Sequence, residues 1–166
     1  GIAFGQNPDC LYDITKQIKA KAKQPIIMKL SPNVTDITEM ARAAESAGSD
    51  ALSLINTITG MKIDIHKRAF ALANKTGGLS GPAIKPVAVR MVYQAAQAVK
   101  IPIIGMGGIA NAEAPNEFML AGATGVAVGA MNFVNPYTTA EVVKGIEEYM
   151  ERYHVENLTE LVGAVR

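Results

Sequence analysis

The chain has no tryptophan, nine other aromatics (five Tyr, four Phe) and a single cysteine among 166 residues. So few rings leave little for stacking the bases of a single-stranded nucleic acid. Lys+Arg number 16 against 15 Asp+Glu, a net charge of +1, so no basic surplus points to a polyanion partner. The one basic run, KQIKAKAK, has helical spacing and reads as a solvated helix face. The lone Cys10 excludes an internal disulfide and fits a reducing cytoplasm, where the protein is expected. No apolar run approaches the roughly 18 residues of a membrane-spanning helix, and no signal peptide is visible, so no membrane contact is expected. The methionines at helical spacing are core fillers, and no metal site is expected.

What is present is a hydrophobic content of 49%, enough for one domain with a sizeable core. The chain is organised around IPIIGMGGIANAEAPNEFMLAGATGVAVGAMNF, Ile101 to Phe133. The runs Ile101–Ile104 and Gly125–Val128 lack polar alternation, as expected of parallel strands covered on both faces. Each ends in glycine: Gly105, Gly107 and Gly108 after the first, Gly129 after the second. Between them Asn111 is a plausible N-cap for a helix that ends near Ala121, with Gly122 just beyond. Glycines after strands are often only tight turns. Two such turns one βα unit apart at one sheet end also leave several N–H groups free to cradle a phosphate, as after strands 7 and 8 of many (β/α)₈ barrels.

Upstream, Asn7-Pro8 opens a helix predicted to run to about Lys23, with Leu11, Ile14, Ile18 and Ala22 inward. PIIMKL then reads as a strand carrying Lys29. A lysine inside a covered strand calls for an anionic partner; on an edge strand it is simply solvated. Thr35 or Asp36 caps the next helix, which stops at Gly48, and Asp50–Asn56 forms a strand ending on Asn56-Thr57. That pair suits either an amide- or imide-like ligand edge or an ordinary turn. Residues 57–81 are irregular, an insertion over about 57–76 in which MKIDI and AFALA could pair as a hairpin; His66 there reads as solvent-exposed. TGGLSG brings Gly81 to the mouth of the sheet, where bare backbone can lie close to a flat ring or sugar. A helix from near Pro82 buries Val87, Met91, Ala95 and Ala98. A long amphipathic helix spans NPYTTAEVVKGIEEYMERYHV, and a last turn capped by Asn157 or Thr159 is expected across the end of the sheet. His154 suits a helix C-terminus for dipole reasons alone.

Four strands each precede a helix, a (β/α)₄ pattern. The expected fold is therefore α/β, the C-terminal half of a TIM (β/α)₈ barrel, with residues 1–166 as a single half-barrel domain. Such barrels usually need about 250 residues, and the chain begins GIAFGQNP without a methionine, so a piece of a longer chain is expected.

IIMKLSPNVTDI, LINTITGMKID, ANKTGGLSGPAIKP, IPIIGMGGI and VAVGAMNFVNP together resemble the catalytic subunit of class 1B dihydroorotate dehydrogenase, an FMN-dependent (β/α)₈ barrel of pyrimidine (UMP) biosynthesis. The resemblance covers essentially the whole chain and the C-terminal half of the family protein. It implies that Lys29 contacts the isoalloxazine, where positive charge stabilises the reduced flavin. It further implies that Ile55 touches the flavin and that Asn56 and Thr57 bond the orotate ring. Gly81 would line the ribityl and phosphate region, with Gly107-Gly108 and Gly129-Ala130 on the phosphate. FAD and an iron–sulfur cluster would reside in an electron-transfer partner subunit that passes electrons to NAD, and a homodimer is expected. The family often has Thr where this chain has Ala130, and an ordinary residue at Pro115, which would delete a helix bond if Asn111 is the cap. The family's catalytic base is a cysteine upstream of GIAFG, so no catalytic residue is expected within these residues, and the 166-residue chain alone is expected to be inactive. Cys10, inside the first helix, reads as a structural or surface thiol. Two other readings stand beside this one: a non-catalytic half-barrel that binds phosphate-bearing ligands or pairs with another half, and another FMN barrel reductase acting on a dihydropyrimidine.

Overall fold

The computed structural model describes residues 4–165; Gly1 to Ala3, where the opening turn was expected to begin, and Arg166 lie outside the described residues. In chain order the elements are α1 (Pro8–Lys19), β1 (Ile27–Lys29), α2 (Ile37–Ser46) and β2 (Ala51–Leu54). An excursion follows, made of β3 (Ile58–Met61), β4 (Ile63–Asp64), β5 (Ala69–Phe70) and β6 (Thr76–Leu79). A 3-10 turn at Pro82–Ile84 leads into α3 (Lys85–Ala98), then β7 (Ile103–Met106), α4 (Ala114–Leu120), β8 (Gly125–Ala127) and α5 (Thr138–Tyr153).

β1, β2, β7 and β8 form one sheet in that order, parallel throughout, with Lys29 opposite Ser53, Ser53 opposite Ile104 and Ile104 opposite Gly125. Three parallel βα crossovers in sequence give the expected half-barrel. The strands are covered on one face only. Leu30, Leu52, Leu54 and Ile103 are buried with Phe118, Met40, Ala88 and Val92 of the helices. On the other face, which the helices do not reach, Ser53 is buried, Ile104 and Met106 are half-buried, and Ile27 and Lys29 are exposed. The expectation of strands covered on both faces is thus corrected: a half-circle of strands has an inner face that its own helices cannot reach. β1 lies at one edge, so Lys29 sits exposed on an edge strand.

The caps explain where helices begin. Asn7 Oδ1 accepts from the Cys10 amide at 3.0 Å, with Pro8 at the first helical position. Asp36, rather than Thr35, caps α2 through Thr38 N at 2.8 Å, and its own carboxyl is held below the ordinary range by that contact with Thr38. Asn157 and Glu160 form a capping box on the final 3-10 turn. That turn docks on α4, through Gly163 N to Met119 O at 3.0 Å and Val165 N to Leu120 O at 3.2 Å, not across the sheet end.

Two helix faces differ from expectation. α1 stops at Lys19 and buries Leu11 and Thr15, leaving Ile18 exposed. Thr15 is admitted to the core because its hydroxyl donates to Leu11 O at 2.6 Å, which satisfies it internally. α3 buries Ala88, Met91, Val92 and Ala95, a stripe rotated by one residue from the predicted one at its ends. Pro115 costs α4 no bond, since the helix begins at Ala114 and the proline falls in the first turn, where amides are free anyway. Asn111 Oδ1 still caps that turn, accepting from Ala114 N at 2.9 Å.

The start of β1 is tied to α1 by Asp50, whose Oδ2 accepts from Lys19 Nζ at 2.5 Å and from Ile26 N at 2.7 Å. The Lys19 contact, then the Ile26 amide, hold its carboxyl below the ordinary range. A depressed folded pKa contributes stability above the unfolded value, about 3.9, and that contribution is lost as pH falls through the folded value. Asp50→Asn is therefore expected to be less stable than wild type at neutral pH, with the difference shrinking to nothing at acid pH. Denaturation midpoints across pH check this; a pH-independent difference would contradict it.

Candidate functional site

The four parallel strands all release their chains at one end of the sheet, and the loops there enclose a cleft of about 780 Å³. Lys29, Ile55, Asn56, Thr57, Gly81, Gly107, Gly108, Gly129 and Ala130 all line it. These nine candidate site residues are thus brought together, although they span a hundred positions. Backbone bonds set the height of each loop: Leu30 N to Ser53 O at 2.8 Å, Asn56 N to Leu30 O at 3.2 Å and Ile55 N to Met106 O at 2.9 Å. The Leu54–Ile55 peptide is cis.

The glycine turn after β7 is built around close approach. Gly108, at φ +73°, lies so near the next loops that a Cβ there would sit 2.8 Å from Gly81 O and 2.8 Å from Lys85 N. Gly107, at φ +126°, would place a Cβ 3.2 Å from Ile55 Cγ1 and 3.0 Å from Ala88 Cβ. Both conformations favour glycine. The loop before α3 is therefore pressed onto the turn after β7, and Lys85 is anchored there by an ion pair with Glu117 of α4. After β8, Gly129 opens a 3-10 turn, Ala130–Phe133, where a Cβ on Gly129 would meet nothing within 4 Å. Two bare turns and the open side of Gly81 thus frame one end of the cleft, the geometry in which backbone N–H groups receive an anion.

Lys29 is the only charged residue in the lining, and among the described residues it is in no ion pair. Asn56, Thr57, Ser80 and Asn132 add neutral polar side chains, and the rest is apolar or bare backbone, with Ile55, Ile84, Met106, Ile109 and Val128 offering apolar surface suited to a flat ring. None of Ile84, Met106 and Ile109 was singled out from the sequence; each is an ordinary core-type residue next to a glycine turn.

A second, polar cleft of about 520 Å³ shares Asn56 and Thr57 and adds Ser31, Asn33, Thr59, Asn74 and Thr76. Asn56 Oδ1 accepts from Thr57 N at 2.9 Å, which leaves its NH₂ group with no partner among the described residues. The excursion forms the far wall. β3 pairs antiparallel with β6, Ile58 opposite Leu79, and β4 with β5, so the stretches MKIDI and AFALA meet as a short ribbon. Thr57 packs directly on Gly78, where any side chain would collide with its hydroxyl. His66 is exposed.

The family model for dihydroorotate dehydrogenase matches residues 1–150. The chain belongs to the dihydroorotate dehydrogenase family. It is 67% identical over 165 residues to a dihydroorotate dehydrogenase B (NAD(+)) catalytic subunit of Lachnoclostridium phytofermentans, covering 99% of this chain and 55% of that protein. To the protein of the same name from Alkaliphilus oremlandii it is 61% identical, covering 98% of this chain and 54% of the relative. The chain thus spans about half the length of the curated relatives it matches. Its fold superposes on a crystal structure of DHODH from Eimeria tenella in complex with ferulenol, with a TM-score of 0.81 over 99% of this chain and 50% of that one. At 21% identity that likeness carries the fold alone.

Within this dihydroorotate dehydrogenase half-barrel, Cys10 lies exposed in the first turn of α1. Among the described residues no cluster of three metal-ligating side chains occurs and no helix is long and apolar enough to cross a membrane.

Proposed function

We propose that this chain supplies the FMN-binding half of a dihydroorotate dehydrogenase catalytic subunit, which oxidises dihydroorotate to orotate in pyrimidine biosynthesis. The observation that carries the reading is the convergence of the two glycine turns, Gly81 and one unpaired lysine on a single apolar cleft. The cradle is too narrow for side chains at Gly107 and Gly108 and leaves room over Gly129, as bound phosphate requires. In this reading Gly107, Gly108, Gly129 and Ala130 hold the FMN phosphate by backbone, Gly81 borders the ribityl chain, and Ile55 lies against the ring. Ala130 offers its amide but no hydroxyl. Asn56, with its free NH₂, and Thr57 bond the pyrimidine ring.

When bound, FMN would supply a two-electron acceptor for the oxidation of dihydroorotate to orotate. Lys29, the charged side chain in the cleft lining, would supply positive charge that favours the reduced flavin. Lys29→Met is expected to slow reduction of the flavin by dihydroorotate by about 100-fold while FMN affinity changes much less. Anaerobic stopped-flow traces check this; an unchanged rate would remove Lys29 from the role. The name shared by the relatives, the catalytic subunit of an NAD(+) enzyme, supports a separate partner subunit. In this reading that subunit carries FAD and an iron–sulfur cluster, and the catalytic core is a cytoplasmic homodimer.

The test is to purify the native protein that carries this chain and add dihydroorotate without oxygen. Bleaching of a bound flavin with formation of orotate is expected. A protein without flavin would favour the non-catalytic half-barrel, and reduction by another dihydropyrimidine alone would favour a different reductase.

A further inference from the structure

Asn33 sits in the loop between β1 and α2, and none of its ligand-side neighbours in sequence marks it as special. Its side-chain amide nevertheless makes two bonds to one distant segment. Nδ2 donates to Thr57 O at 3.1 Å, and Oδ1 accepts from Thr59 N at 2.9 Å. Those partners are the carbonyl of residue 57 and the amide of residue 59. A residue of a neighbouring strand would take the same two groups, so the Asn33 amide stands in for a strand on the open edge of this segment. The opposite edge is taken by β6 from Ile58 onward, and Thr57 itself is backed by Gly78. Asn33 is in turn held by Ser31, whose Oγ lies 3.2 Å from the Asn33 amide and 3.3 Å from Nδ2.

We infer that Asn33 is a positioning residue for pyrimidine recognition, fixing the Asn56–Thr57 segment so that its side chains meet the substrate ring. The inference rests on the functional reading above and adds to it a residue on a different loop. Only an amide can do this, because the site needs a donor toward Thr57 O and an acceptor toward Thr59 N from one planar group. An aspartate has the same shape but turns an acceptor toward a carbonyl oxygen. The FMN phosphate cradle, built from Gly107, Gly108 and Gly129, does not touch Asn33, so the two functions are separable.

The test uses the flavin-loaded protein and two variants, Asn33→Asp and Asn33→Ala. Orotate binding is read from the flavin difference spectrum, FMN affinity from flavin fluorescence, and KM and kcat from dihydroorotate oxidation. Both variants are expected to weaken orotate binding and raise KM by about tenfold or more, the effect of one or two lost hydrogen bonds, with FMN affinity within twofold of wild type. Wild-type orotate affinity in both variants overturns the inference. So does a proportional loss of orotate and FMN affinity, which would mark Asn33 as merely structural. If Asn33→Ala does not fold, the isosteric Asn33→Asp decides alone. A wild-type protein that binds flavin but gives no orotate difference spectrum overturns the functional reading itself.

Discussion

Gly108→Ala is expected to weaken FMN binding by about 100-fold. The new Cβ would stand 2.8 Å from Gly81 O, Lys85 N and Lys85 Cβ, two of them backbone atoms that cannot swing aside. A φ of +73° adds a cost of its own for any residue but glycine. Relief requires the Gly81 loop and the start of α3 to back away from the turn, and that movement opens the phosphate cradle. Losing good geometry at one or two charge-assisted N–H contacts, worth about 1.5–3 kcal/mol each, yields the stated factor. Gly125→Ala is the matched control, since a Cβ there meets nothing within 4 Å and Gly125 does not line the cleft. Titration of flavin fluorescence on both variants checks the contrast; equal losses would mean that the Gly81–Gly108 contact does not shape the cradle.

Phe118→Ala is expected to cost about 3–5 kcal/mol of folding stability, a large share of the roughly 5–15 kcal/mol typical of a domain. Phe118 is fully buried on α4, and its ring fills the place where a side chain on Gly105 of β7 would stand, with Cδ1 only 2.7 Å from that position. α4 spans seven residues, so it is held by packing far more than by its own helix propensity. Removing the ring leaves a cavity between the helix and the strand that feeds the glycine turn. Urea midpoints measure the loss. Adding Gly105→Ala to Phe118→Ala is expected to recover part of it by refilling the space, whereas Gly105→Ala alone destabilises by collision. A Phe118→Ala protein as stable as wild type would contradict the packing described.

Lys29, Asn56, Gly81, Gly107, Gly108 and Gly129 are legible because each is a glycine, an amide or a charge in or just after an apolar run, where a core residue would be cheaper. Four repetitions of that local signal also betrayed the half-barrel. The sequence was least informative where partners are far apart in the chain. β3 and β6 join residues 58–61 to 76–79 through glycines 60, 77 and 78, whose pairing no local periodicity announces. Asn33 in SPN looks like any turn asparagine, and its two partners lie 24 and 26 residues away. Thr15 was passed over for Ile18 because apolarity alone ranks them the other way; the hydroxyl's bond within its own helix reverses the order. The bare inner sheet face follows from a half-circle of strands, which strand hydrophobicity cannot distinguish from a sheet covered on both sides.

The most direct test of the central claim is to compare FMN with riboflavin, which is FMN without its phosphate, in binding to the purified protein stripped of flavin. If the turns at Gly107–Gly108 and Gly129 form a phosphate cradle, FMN binds about 100-fold tighter or more, and inorganic phosphate competes with FMN while leaving riboflavin binding unchanged. Equal affinity for the two flavins would contradict the account.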